Sequence, residues 1–207
     1  ARQELKSQEA EINKVIADIQ GQEQEAQAAI KALEAAASAM DAEIRKKEKE
    51  LASQIANVPS ESGFLWPLNG YNTLTSLFGS RIHPITGKAN NHTGIDIPAP
   101  AGTAILASKS GVVITSTRNR SYGNYVVVGH SDGTSTLYAH MSSRSVSQGQ
   151  TVKQGQVVGR VGTTGSSTGN HLHFEVRVNG SRVDPVNYFK SKTLYVQSRG
   201  RKVQLKH

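Results

Sequence analysis

His171-Leu172-His173-Phe174-Glu175-Val176-Arg177-Val178 alternates polar and apolar residues at every step. That period of two belongs to a strand with one face turned to a core. In such a strand His171 and His173 project into the same space, while Leu172 and Phe174 turn inward. Two neighbouring imidazoles are costly if both are charged, yet they are well placed to share a metal ion and its water. Outward from this stretch, short β-type runs recur at 104–107, 112–116, 125–129, 134–139 and 157–161. Turn-rich pieces such as Ser131-Asp132-Gly133 and Gly162-Thr163-Thr164-Gly165 separate them. Short strands, tight glycine turns and no helical period between them predict a mostly antiparallel β domain over 64–190. The basic, polar segment 191–207 is expected to be a tail, with a candidate strand at 193–196 and a frayed end.

Upstream the period changes. Leu5, Ile12, Ile19, Ala26, Leu33, Met40 and Lys47 fall seven apart, and so do Glu9, Ile16, Glu23, Ile30, Ala37, Ile44 and Leu51. The two series interleave in steps of four and three, which is the seam of a coiled coil. Ala, Glu, Gln and Lys fill the positions between them and favour a helix. Residues 1–57 are therefore expected to form one long coiled-coil helix, loosened where Glu9, Glu23 and Lys47 sit on the seam. Gly21 marks a place for a hinge or break. So narrow a stripe needs a partner helix, in cis or in trans, and the segment serves as a stalk or as a regulatory cover. Val58-Pro59-Ser60-Glu61-Ser62-Gly63 is the expected linker.

Composition narrows the chemistry. The 207 residues contain no cysteine, which excludes disulfides, thiolate metal sites and cysteine nucleophiles together. No apolar run reaches bilayer length. The opening Ala1-Arg2-Gln3-Glu4 reads as a mature fragment, with any export signal or anchor upstream. Of the net charge of +8, residues 1–57 carry 8 basic and 11 acidic side chains, net −3. The remainder carries 16 and 5, net +11. Such a domain is drawn to polyanions: nucleic acid, an anionic cell wall or a membrane surface.

Four of the seven histidines fall in three short contexts: His92-Thr93-Gly94-Ile95-Asp96, Leu137-Tyr138-Ala139-His140, and the strand opening at His171. His92 and Asp96, four apart around a glycine, can converge through a tight bend. Two histidines and a carboxylate form a catalytic zinc set that leaves a fourth position for water. Such a site polarises a carbonyl and brings the pKa of its water toward neutrality.

The ordered motifs resemble the lysostaphin-type, or LytM-like, M23 metallopeptidases over roughly 64–189. They include Phe78-Gly79-Ser80-Arg81-Ile82-His83-Pro84, His92-Thr93-Gly94-Ile95-Asp96-Ile97, Gly111-Val112-Val113 and Gly123-Asn124-Tyr125-Val126. Leu137-Tyr138-Ala139-His140-Met141, Gly149-Gln150-Thr151-Val152, Gly155-Gln156, Gly162-Thr163-Thr164-Gly165 and His171-Leu172-His173-Phe174-Glu175 follow in order. The resemblance implies a compact antiparallel sheet with an open groove, one Zn²⁺ held by His92, Asp96 and His173, and catalytic roles for His140 and His171. Those two would orient and deprotonate the attacking water and stabilise the oxyanion. It further implies peptidoglycan as substrate and an extracytoplasmic setting, bacterial or phage-associated. Some relatives use a tyrosine shortly before the first ligand, and none lies between Asn72 and His92 here.

Degenerate members of the same family lack ligands and activate other wall hydrolases through a coiled coil; all five positions are intact here. A nucleic-acid module would want aromatics interleaved with its basic residues, and the tyrosines and phenylalanines mostly fall in apolar runs instead. The charge is thus read as attraction to anionic wall polymers, with no nucleic-acid partner. Arg81 could hold a substrate carboxylate or a structural ion pair. His83 is expected at a surface or packing position near the groove, His130 as an exposed residue before its turn, and His207 carries no role.

Overall fold

The structure is a computed structural model that describes residues 2–82, 89–198 and 200–205. It divides into two compact units, 1–40 and 41–207. The first is helical throughout its described residues and belongs to helix α1, Arg2–Glu50. Gly21 interrupts nothing, because the surrounding run of strong helix formers outweighs a cost of about 1 kcal/mol. The continuity yields instead at Leu51, after which α2 runs Ala52–Ala56. Ile12, Val15, Ile16 and Ile19 are exposed along the first unit. No helix among the described residues is long and apolar enough to cross a membrane.

The second unit is built of β1 (Thr73–Leu74), β2 (Gly79–Ile82), β3 (Ala89–His92), β4 (Ile95–Pro98), β5 (Ala104–Leu106), β6 (Gly111–Asn119) and β7 (Gly123–Gly129). It continues with β8 (Thr134–Arg144), β9 (Thr151–Val152), β10 (Val157–Val161), β11 (His171–Val178), β12 (Ser181–Val183), β13 (Tyr195–Ser198) and β14 (Arg201–Gln204). The main sheet runs β12-β11-β8-β7-β6-β9, with β4 on β11 and β10 bridging β5 and β8, and its pairings are antiparallel. Ile95, Ile97, Val113, Val126, Val128, Tyr138, Leu172, Phe174 and Val176 pack one face into the core. The mostly antiparallel β architecture after a long helix is the one the periodicities predict.

The opposite face of the sheet is covered in part by residues 41–56. Ile44 is buried, and Ile55 and Ile114 pack over Gly129, where an added Cβ would lie 2.9 Å and 2.8 Å from their Cδ1 atoms. Glu48 accepts a 2.9 Å hydrogen bond from the Ser135 hydroxyl, and Lys47 donates one to Thr115.

Two expectations change. The segment beyond 191 does not fray over its described length: β13 and β14 form a hairpin turning at Gly200, and β13 pairs in parallel with β1. Lys202 lies over the Tyr195 ring, and Leu194 is buried. His130 is not exposed but 2% accessible. Its Nδ1–H donates to the Ser110 carbonyl at 2.9 Å, and Nε2 lies 3.0 Å from the Thr136 hydroxyl. Burial pushes its pKa down to about 4, so the ring is neutral. His83, His207 and the side chain of Arg81 lie outside the described residues.

Candidate metal centre

Register places the site. In the pairing of β4 with β11, Asp96 stands directly opposite His173, and on the other side of β11 His173 faces Ala139 of β8. The close approach needs Gly94, since a Cβ there would lie 2.3 Å from the Phe174 carbonyl oxygen. His92, at the end of β3, returns over Asp96 through that bend.

Three atoms meet. His92 Nε2 lies 3.1 Å from His173 Nδ1 and 3.2 Å from Asp96 Oδ1, and His173 Nδ1 lies 2.9 Å from Asp96 Oδ1. All three residues are buried. Each ring has its other nitrogen committed. His92 Nδ1–H donates to the Leu77 carbonyl at 2.8 Å, which turns the Nε2 lone pair into the site. His173 Nε2 lies 3.2 Å from Glu175 Oε1, where it donates and leaves Nδ1 for the site. Two imidazole nitrogens and a carboxylate oxygen thus converge on one place. That donor set, backed by a carbonyl and a carboxylate, fits zinc: ligand atoms on a tetrahedral ion would stand about 3.3 Å apart.

Burial opposes charge on His173, but its hydrogen bonds to Asp96 and Glu175 outweigh it and raise the ring to about 9. Asp96 is buried, yet hydrogen bonds from His173 and His92 hold its carboxyl well below the usual range.

His140 and His171 stand beside the three. Their rings are 4.7 Å apart, the His140 ring is 5.9 Å from that of His173, and His171 Nε2 is 3.7 Å from Asp96 Oδ1. Each commits Nδ1–H to a backbone carbonyl at 2.8 Å, His140 to Thr164 and His171 to Gly169. Nε2 is therefore the available nitrogen on both. His140 has a left-handed backbone, φ 59°, and its N–H donates to Tyr122 O at 2.8 Å. Thr164 is held in place by the turn at Gly165, whose Cβ would strike Gly123 N at 2.2 Å. Burial first, then the neighbouring His173 and His171, push the pKa of His140 down to about 4.

Residues that the motif spacing passed over complete the surroundings. The Tyr122 hydroxyl donates to Glu175 Oε1 at 2.5 Å and lies 3.4 Å from the Thr93 hydroxyl, which is itself 3.4 Å from His173 Nε2. Burial and the Glu175 charge push the Tyr122 pKa up, keeping it a neutral donor. Glu175, fully buried, is held well below the carboxylate range by His173 and Arg177 against the pull of burial. The signal for Glu175 and Arg177 was the same two-residue period that places His171 and His173 on one face of β11.

Fold and donor set together define a β domain built to hold a divalent metal between strands. The chain belongs to peptidase family M23, whose pattern matches residues 90–185. Over 117 residues it is 50% identical to the DD-carboxypeptidase/endopeptidase Mpg of Neisseria meningitidis serogroup B, covering 56% of this chain and 27% of that one. A zinc-containing peptidase from Vibrio cholerae superposes with a TM-score of 0.56 at 38% identity, over 60% of this chain and 39% of that one. The catalytic domain of the prophage-encoded M23 protein EnpA from Enterococcus faecalis gives 0.52 at 36% identity, over 58% of this chain and 93% of that domain. The chain spans about a quarter of the length of relatives such as Mpg.

Proposed function

We propose that this chain is a zinc-dependent endopeptidase acting on the peptide crosslinks of bacterial peptidoglycan. The observation that carries the reading is the meeting of His92 Nε2, Asp96 Oδ1 and His173 Nδ1, with the two rings turned inward by Leu77 O and Glu175 Oε1. In this reading those three hold the metal and His140 and His171 are catalytic. Bound there, zinc supplies a Lewis acid for the scissile carbonyl and makes water more acidic.

The protein's own groups do the rest. His140, kept neutral with Nδ1–H on Thr164, offers Nε2 as a proton acceptor for the attacking water. His171, with Nδ1–H on Gly169, donates from Nε2 to the oxygen on which negative charge develops once its ring has taken up a second proton. Two rings 4.7 Å apart resist holding two charges, so a proton taken up by the pair is readily passed to the leaving amine. Glu175 fixes the angle of the His173 ring throughout.

The substrate class follows from relatives. ShyC of Vibrio cholerae, 44% identical over 119 residues, is a peptidoglycan DD-endopeptidase. A bond between D-residues of a crosslink is accordingly the bond proposed here, and the wall outside the cytoplasm the place. The net charge of +11 over 58–207 supports attraction to anionic wall polymers. The exposed Ile12, Ile16 and Ile19 support a partner helix for the N-terminal seam.

The test is digestion of purified peptidoglycan with and without a chelator, followed by mass spectrometry of the fragments. New amine ends at the crosslink, formed only with metal present, are expected. Intact crosslinks in the presence of zinc-loaded protein would refute the peptidase reading.

A further inference from the structure

We propose that Asp41 of α1 is a positioning residue for the metal centre, acting through Arg177, Arg182 and Glu175. This rests on the zinc reading above. On β11, His173, Glu175 and Arg177 occupy successive positions of one face, and together they form a continuous row from the metal ligands to the helix. Glu175 divides its two oxygens. Oε1 serves the site, taking Tyr122 and His173, while Oε2 takes Arg177 Nη2 at 2.7 Å, Arg177 Nε at 3.0 Å and Arg182 Nε at 3.4 Å.

The far ends of the two guanidinium groups close on Asp41. Its Oδ1 accepts from Arg177 Nη1 at 3.0 Å and Arg182 Nη2 at 2.8 Å, and its Oδ2 lies 2.8 Å from Arg182 Nη1. Arg177 is 1% accessible, so water cannot replace these partners. Two carboxylates and two guanidinium groups balance. Neutralising Asp41 by Asn leaves the buried Arg177 and the partly exposed Arg182 on the single Glu175 carboxylate, with only a neutral amide oxygen to answer Arg177 Nη1. Glu175 is then drawn toward the arginines and away from His173 Nε2, and the uncompensated positive charge faces a site that must accept a dication. Metal affinity falls, although Asp41 touches no ligand.

A mere docking contact would behave differently. Glu48 also ties the helix to the sheet, through Ser135, but has no bond to Glu175. The experiment is a zinc titration against a competing chelator on the full chain, for wild type, Asp41→Asn, Asp41→Glu and Glu48→Ala, with thermal unfolding of each metal-free protein alongside. Outer-shell partners of metal ligands change affinity by about 10–100-fold. Acting one bond further out, Asp41→Asn is expected to weaken zinc about tenfold, at the low end of that range. Asp41→Glu should restore part of the loss, and Glu48→Ala should leave affinity unchanged even where it lowers the melting temperature. Equal affinity in wild type and Asp41→Asn, or an equal loss in Glu48→Ala, would overturn the inference while leaving the zinc site standing. A wild-type protein that binds no zinc would overturn both.

Discussion

His140 has a left-handed backbone in the middle of a strand, at φ 59°. A non-glycine residue in that region costs on the order of 1–3 kcal/mol and persists where its surroundings insist on it. Here Tyr122 O and Thr164 O take its N–H and Nδ1–H, and Nε2 is left for chemistry. The division of labour among the imidazoles gives a first expectation. His173→Ala should lose metal and activity together, whereas His171→Ala should retain zinc and slow crosslink cleavage by about 10²–10⁴-fold. Metal analysis and digestion rates on the same samples check both, and zinc loss in His171→Ala would count against the division. His130 gives an expectation about pH. Its ring is held neutral, with a pKa of about 4 against an ordinary 6.5, so the unfolded chain takes up a proton where the native one does not. The stabilisation is complete above 6.5 and is lost progressively as pH falls toward 4, up to roughly 3 kcal/mol. Denaturant unfolding of the metal-free protein at stepped pH measures it, and His130→Gln should flatten that part of the profile. The positions of His92, Asp96, His140, His171 and His173 were legible because each lies in a short motif with its own spacing. The burial of His130 was not, since a histidine before a turn carries no sign of the Ser110 carbonyl waiting twenty residues earlier.

Between elements, the decisive relation is the register of β4 against β11, which sets Asp96 opposite His173. Gly94 permits it. Gly94→Ala would drive a methyl group into the Phe174 carbonyl, and neither backbone can yield without parting the ligands. Such a variant should bind zinc at least tenfold more weakly than wild type, in line with disturbed second-shell geometry, and unfold at lower temperature. Unchanged affinity would mean that the bend has slack. Strand existence was readable from the period of two at 157–161 and 171–178, where the bounds coincide with β10 and β11. It was less readable where β8 continues past Ala139 to Arg144, because His140 breaks the alternation there. The helix followed its heptads but ended at Glu50 rather than bending at Gly21. The candidate strand at 193–196 overlaps β13, but its pairing with β14 was not legible, because 201–204 is basic and polar and the support comes from distant β1 and the buried Leu194.

For the whole molecule, residues 41–56, which include the last turns of α1, belong with the β unit and not with residues 1–40. Removing 1–40 should therefore leave the melting temperature and zinc affinity of the remainder close to those of the full chain. Removing 1–57 takes away Ile44, Ile55 and Asp41 as well, and both quantities should fall. Calorimetry and chelator competition on the two truncations check this, and identical behaviour would mean that the helix end contributes nothing. None of this was visible in the heptads, in which Asp41 is one charge among many on a polar helix. The most direct measurement is anomalous diffraction at the zinc absorption edge from crystals of the zinc-loaded chain. A single peak bounded by His92 Nε2, Asp96 Oδ1 and His173 Nδ1 is the expected result. No peak, or a peak held by His140 and His171 in their place, would contradict the assignment of the site on which the proposed peptidase rests.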